Sequence, residues 1–290
     1  MEKARFKWVL RERNRKIAAK TEVFTEQQAR RVRSFHSSFK EYSPTPLIEL
    51  TSLAQHLGIK NLFVKDESYR FGLNAFKVLG GSFAIGSYIA NELGEDIDDL
   101  PYMRLVSDEV RSLLGSKTFI TTTDGNHGRG VAWTANRLKQ QAIVYMPQGS
   151  AAERLANIRA EGAQAEITDM NYDDTVRYTS ELAQKNGWII VQDTAWDGYT
   201  RIPLWIMQGY MTMALEAYEQ LPVKPTHIFL QAGVGSLAGS VQGFFADIYG
   251  SSCPLTFIVE PKGADCLYQT AAANDGSLHS VTAVSYTHLR

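Results

Sequence analysis

The apolar residues of this 290-residue chain fall into short runs rich in branched and aromatic side chains, separated by longer stretches with one apolar face. The runs at 62–65, 118–121, 142–146, 165–168, 188–191, 227–230 and 255–259 predict β-strands. The stretches over 82–93, 128–139, 151–161, 173–186, 200–219, 236–248 and 262–273 predict helices. One helix between successive strands returns the chain to the same end of a sheet, so the strands run parallel and helices cover both faces. The fold class is therefore α/β. The four strands between 118 and 191 group as a small sheet, and the flanking segments group as a larger one. Ligand chemistry in such a fold lies at the carboxyl ends of strands and in the crevice between the sheets.

Upstream of this alternation the pattern is less regular. Residues 1–24 show no clean apolar period and read as an arm. Thr25 is placed to cap a helix over 26–40, and Ser43-Pro44-Thr45-Pro46 then breaks the chain. A further helix is predicted over 47–57, closed by Gly58.

Composition removes several function classes. With 30 basic and 31 acidic residues, net charge points to neither nucleic acid nor an anionic membrane surface. No apolar run has the length of a membrane span, and the basic first twenty residues lack a signal-peptide core. Cys253 and Cys266 make neither a disulfide framework nor a metal-binding spacing. These features describe a soluble, cytoplasmic protein with no metal site.

Four stretches carry candidate chemistry. Lys77 sits among apolar residues in Asn74-Ala75-Phe76-Lys77-Val78-Leu79-Gly80-Gly81, between a predicted strand and a predicted helix. Partial desolvation of such a lysine is expected to weaken its preference for the charged form, which makes the amine a nucleophile toward carbonyls. The run Thr121-Thr122-Thr123-Asp124-Gly125-Asn126-His127-Gly128 follows a strand and opens a helix, where unpaired amides suit an anion. Asp124 or Asn126 alone would serve as an ordinary cap, but the density of hydrogen-bonding groups exceeds what a cap requires. Asp193 ends the strand at 188–191 and so faces the same crevice as Asp124, where two carboxylates can divide acid and base roles. The turn Gly233-Val234-Gly235-Ser236-Leu237 opens another helix and offers its amides to a phosphate. A rival reading takes Gly233, Gly235 and Gly239 as a dinucleotide fingerprint with Glu260 on the ribose. That spacing is off by one, with Ala238 in the third glycine's place.

A lysine, an asparagine-bearing loop and a glycine-rich phosphate loop together supply the parts that hold pyridoxal 5'-phosphate: Lys77 for its aldehyde, Asn126 for the ring hydroxyl and 233–237 for the phosphate. With these motifs the chain resembles the tryptophan-synthase-β-like pyridoxal-phosphate enzymes, and within them the diaminopropionate ammonia-lyases. Lys65-Asp66-Glu67-Ser68, Asp169-Met170-Asn171-Tyr172-Asp173-Asp174 and Gln192-Asp193-Thr194-Ala195-Trp196 extend the resemblance, which runs from about residue 30 to about residue 282. It implies two parallel-sheet, three-layer domains with the cofactor in the crevice between them. Residues 83–197 would form the smaller domain, and 1–82 with 198–290 the larger. It also implies elimination of ammonia from 2,3-diaminopropionate, with a serine or threonine dehydratase of the same fold as the alternative. Lys77 would hold the cofactor and act as base at Cα, Asp124 would exchange protons with one enantiomer, and Asp193 would contact the β-amino group. Thr123, Asn126 and His127 would surround the substrate carboxylate. The family pattern fails over 283–290, which reads as a truncation leaving the larger sheet incomplete, and a homodimer is expected.

Overall fold

The structure, a computed structural model, describes residues 6–11 and 21–281. The unusual tail at 283–290 and most of the expected N-terminal arm lie outside these residues.

Helix α1 (Glu26–Ser37) starts where predicted, because the Thr25 side chain accepts the Gln28 amide. It stops three residues short of the expected end. The predicted helix over 47–57 divides: β1 (Leu47–Glu49) pairs antiparallel with β2 (Phe63–Lys65), and only α2 (Thr51–Leu57) is helical, closed by the left-handed Gly58. Two prolines in the four preceding residues deliver an extended chain, and Ile48 opposite Val64 suits a strand better than a helix start.

Helix α3 (Lys77–Leu93) begins at the lysine itself, five residues earlier than the apolar period suggested, so Lys77 lies in a first helical turn rather than in a loop. Two short helices that the pattern did not announce follow, α4 (Tyr102–Leu105) and α5 (Asp108–Leu114), the second capped by Ser107. The alternation then proceeds as expected through β3 (Thr118–Thr122), α6 (Asn126–Arg137), β4 (Gln141–Met146), α7 (Ala152–Ala160), β5 (Gln164–Ile167), α8 (Tyr172–Asn186) and β6 (Ile189–Ile190). These four strands form one all-parallel sheet in the order β5-β4-β3-β6. The central strand β3 is buried from Phe119 onward, as a strand covered on both faces must be.

Beyond it come α9 (Arg201–Gln220), β7 (His227–Gln231), α10 (Ser236–Tyr249), β8 (Leu255–Val259) and α11 (Cys266–Ala273). In place of one larger sheet, the flanking segments form the parallel pair β7–β8 and the separate antiparallel pair β1–β2. Phe229 and Phe257 stack on an exposed face of the β7–β8 pair, with ring centroids 4.7 Å apart.

Helix α3 is the axis that positions the site. It is clamped between α6 and α9 through glycines: a Cβ on Gly130 would lie 2.8 Å from the Val78 Cα, and one on Gly209 would lie 2.3 Å from the Leu79 carbonyl oxygen. Backbones this close leave no room for a side chain, so the start of α3 is held against both neighbours. The loop that delivers the chain to Lys77 passes through two non-glycine residues of positive φ, Phe71 and Asn74. Arg70, buried in that loop, pairs bidentately with Glu216 of α9 at 2.8 and 2.7 Å and with Glu67 at 2.8 Å. Lys65, Tyr42 and the Thr45 amide complete the Glu216 shell.

Candidate active site

The strand ends and the start of α3 converge on a cavity of about 320 Å³. Lys77, Asp193, the loop 123–127 and the loop 233–237 all contribute walls to it, although these residues lie up to 160 positions apart in sequence.

Lys77 Nζ lies 2.5 Å from Asp193 Oδ2, with the lysine side chain 24% exposed and the aspartate 7%. Burial opposes the ammonium, but the Asp193 carboxylate more than offsets it, and the lysine is held above its ordinary range. The expectation that desolvation would favour the neutral amine is thus corrected: a carboxylate in hydrogen-bond contact outweighs burial, and the rings of Phe76 and Tyr210, centred 5.8 and 5.9 Å from Nζ, also favour the ammonium. The same pairing acts on Asp193. Burial alone would raise its carboxyl, yet Lys77 and His127 bring it down to about 2.

Asp193 is fixed by its backbone as well. Tyr199 accepts the Gln192 amide at 2.8 Å and donates to the Ile190 carbonyl at 3.0 Å, and its ring stacks on Trp196. From the other side, the Ser236 hydroxyl donates to the Asp193 carbonyl oxygen at 2.5 Å.

In the loop 123–127, Thr123 Oγ1 accepts the Gly125 amide at 3.0 Å. His127 is buried, and its Nε2 lies 2.8 Å from the Val191 carbonyl oxygen. Because a carbonyl only accepts, Nε2 carries the proton, leaving Nδ1 a buried acceptor without a partner among the described residues. Burial lowers the imidazole's pKa, which favours the neutral ring. Asp124 is more exposed and faces Arg154 of α7, whose Nη1 lies 3.0 Å from its carbonyl and 3.4 Å from its carboxylate. Asn126 is exposed at the start of α6.

The loop 233–237 joins β7 to α10, with Gly235 in the left-handed conformation at φ 91°. Among the described residues its amides donate to no hydrogen bond, and all five residues line the cavity at the positive end of a helix. The dinucleotide reading fails here. Glu260, its ribose ligand, accepts the Leu267 and Tyr268 amides at 3.0 and 2.7 Å and is consumed in capping α11.

Tyr172 and Arg154 also line the cavity, and neither was assigned a role from the sequence. Tyr172 lay within a motif carrying the family resemblance and is held by Gln192 Nε2 at 2.9 Å. Arg154, one of two arginines in α7, gave no signal.

An amine for an aldehyde, free amides at a helix N-terminus for a phosphate, and a buried imidazole nitrogen without a partner fit pyridoxal phosphate. Fold and cavity together define an α/β protein of the pyridoxal-phosphate type. The chain belongs to the family described as pyridoxal-phosphate dependent enzyme, whose model matches residues 39–286. More particularly, it is 52% identical over 255 residues to a diaminopropionate ammonia-lyase of Salmonella typhimurium, covering 87% of this chain and 63% of that protein. The holo diaminopropionate ammonia lyase of Escherichia coli superposes with a TM-score of 0.86 at 50% identity, over 91% of this chain and 67% of that one. The same enzyme in complex with D-serine gives 0.85 over the same shares. The chain thus spans 63% of the length of the curated relative it matches.

Proposed function

We propose that the protein eliminates ammonia from 2,3-diaminopropionate, with the aminoacrylate product hydrolysing to pyruvate and a second ammonia. The Lys77–Asp193 pair at one wall of a cavity whose opposite loop carries Asp124 is the observation that supports this reading, together with the identity to ammonia-lyases. When bound, pyridoxal phosphate supplies the electron sink that allows a Cα–H bond to break.

The chain's own residues divide the remaining work. Lys77 anchors the cofactor, and its Nζ, once released, takes the Cα proton from one face. Asp124 exchanges protons from the other side, where the opposite enantiomer presents its Cα hydrogen. Asp193, held ionised by its low pKa, contacts the β-ammonium and favours its departure as ammonia. Thr123 and Asn126 bind the substrate carboxylate. His127 offers only an acceptor nitrogen, so within this group it orients an N–H of the substrate. The amides of Gly233, Val234, Gly235, Ser236 and Leu237 hold the phosphate, and Asn126 the ring hydroxyl.

Residues 83–197 form the smaller domain in this proposal, and 1–82 with 198–290 the larger. Near-balanced charge and two free thiols support a cytoplasmic protein that takes an amino-acid substrate and no nucleic acid. Among the described residues no helix is long and apolar enough to cross a membrane. A homodimer is proposed because closed pairs are the commonest soluble assemblies.

A second reading, a serine or threonine dehydratase, is disfavoured by the two carboxylates of the cavity, Asp124 and Asp193, which suit a substrate that carries a second ammonium better than one that carries a hydroxyl. The test measures pyruvate and ammonia released from each enantiomer of diaminopropionate, and from serine and threonine. Preference for diaminopropionate, with Asp124→Ser moving activity toward serine, is expected; preference for the hydroxy amino acids would establish the dehydratase instead.

A further inference from the structure

We propose that the Ser236 hydroxyl is a positioning link that ties Asp193 to the phosphate-binding loop, so that an anion held by the loop also sets the carboxylate against Lys77. The inference rests on the reading of 233–237 as a phosphate site. Ser236 is the first residue of α10, where an N–H is free for an anion. Its hydroxyl is spent elsewhere: it is buried and donates to the Asp193 carbonyl oxygen at 2.5 Å. A hydroxyl has one proton, and a phosphate oxygen can only accept, so Ser236 binds phosphate through its amide and grips Asp193 through its side chain.

The bond spans 43 positions and joins the turn after β6, in the four-stranded sheet, to the turn after β7, in the other parallel pair. The other anchors of this turn come from its own side, through Tyr199, His127, Tyr172 and the Thr122 amide. Among the described residues, the Ser236 hydroxyl makes the one hydrogen bond from the phosphate loop to the Asp193 backbone. Ordering that loop therefore orders the carboxylate that faces Lys77 Nζ.

The test is a double-mutant cycle of Ser236→Ala and Asp193→Asn in the purified protein. Three quantities are read: cofactor affinity by tryptophan fluorescence, the pH midpoint of the bound cofactor's visible absorption, and turnover of diaminopropionate. The expected result is that S236A changes cofactor affinity by less than about threefold, because the amides remain, while turnover falls about tenfold. It should shift the absorption midpoint in the same direction as D193N, and in the D193N background it should have almost no further effect on midpoint or turnover. Ser236→Thr should restore the parent values, and it keeps the test readable if S236A fails to fold. A large loss of cofactor affinity with an unmoved midpoint would make Ser236 an ordinary phosphate ligand and overturn the link. So would equal effects of S236A in both backgrounds. Equal affinity of the parent protein for pyridoxal and pyridoxal phosphate would instead show that the loop is not a phosphate site, and the proposal would fall with it.

Discussion

Two ion clusters, one centred on Arg70 in the loop before α3 and one on Lys77 at its first residue, are built on opposite principles. Around Arg70, every charge is matched: the guanidinium makes two bonds to Glu216 and two to Glu67, and Glu216 also receives Lys65, Tyr42 and the Thr45 amide. Around Lys77 one ion pair opens onto a cavity, beside a histidine nitrogen and the Tyr210 hydroxyl, both buried with no hydrogen-bond partner among the described residues. Leaving a buried polar atom unpaired costs about 1–3 kcal/mol, and the His127 nitrogen, whose residue lines the cavity, is placed where another molecule can meet it. The saturated cluster builds the molecule and the unsaturated one is available to a ligand.

The comparison is broken most severely by exchanging the two lysine and arginine roles for alanine. Lys77→Ala should lower turnover at least about a thousandfold, since both the anchor and a proton-transfer group are lost, while the urea midpoint falls only by what stranding the one carboxylate of Asp193 costs. Arg70→Ala should do the reverse. It leaves Glu216 and Glu67 buried with only Lys65 to compensate, an expected loss of about 3–5 kcal/mol read as a lower urea midpoint. A thousandfold turnover loss in Arg70→Ala at full stability would contradict the division.

Acid separates the clusters more gently. His36 is fully buried against Thr212, Leu79 and Ser82, and burial, with Arg70 nearby, lowers its pKa to about 3. Its folded pKa lies below its unfolded one, so the unfolded chain binds the proton first. The neutral ring's contribution is present above pH 6.5 and is lost as pH falls from there toward 3, by up to about 1.4 kcal/mol per pH unit. Asp193 and Glu216, each held at about 2, contribute above their unfolded pKa values and lose that stability only between about pH 4 and 2. Urea midpoints across pH should decline in the first window, and His36→Gln should remove most of that decline. The smallest effect is expected at Tyr210. Its hydroxyl is buried with no hydrogen bond among the described residues, so Tyr210→Phe removes an unpaired polar group and should raise stability, by no more than about 1 kcal/mol.

The sequence carried the two clusters unequally. The loops at 121–128 and 233–237 were legible because glycines and small polar residues interrupt a strand–helix alternation at points where only a turn fits. Asp193 was legible by its place at a strand end. Its contact with Lys77 was not, because the pair is separated by 116 residues and meets only through the packing of α3 on α6 and α9. The Arg70 cluster was visible only as letters of the family motif around Lys65, Glu67 and Arg70, not as a cluster, since a buried arginine has the same letter as a solvated one and its partner Glu216 sits in a helix whose other residues are largely apolar. Helix and strand were confused at 47–49 because three apolar-flanked residues have too short a period to distinguish the two. Arg154 and Tyr172 reach the cavity from helix starts whose orientation depends on the sheet order, which the strand pattern alone leaves open.

The central claim is that Lys77 is the residue joined to the cofactor. It is tested most directly by incubating the protein with pyridoxal phosphate, reducing with borohydride and mapping the labelled peptides. The account predicts a visible absorption band that reduction abolishes and a single labelled peptide containing Lys77. Label at Lys65 or spread over surface lysines, with Lys77 unmodified, would contradict it.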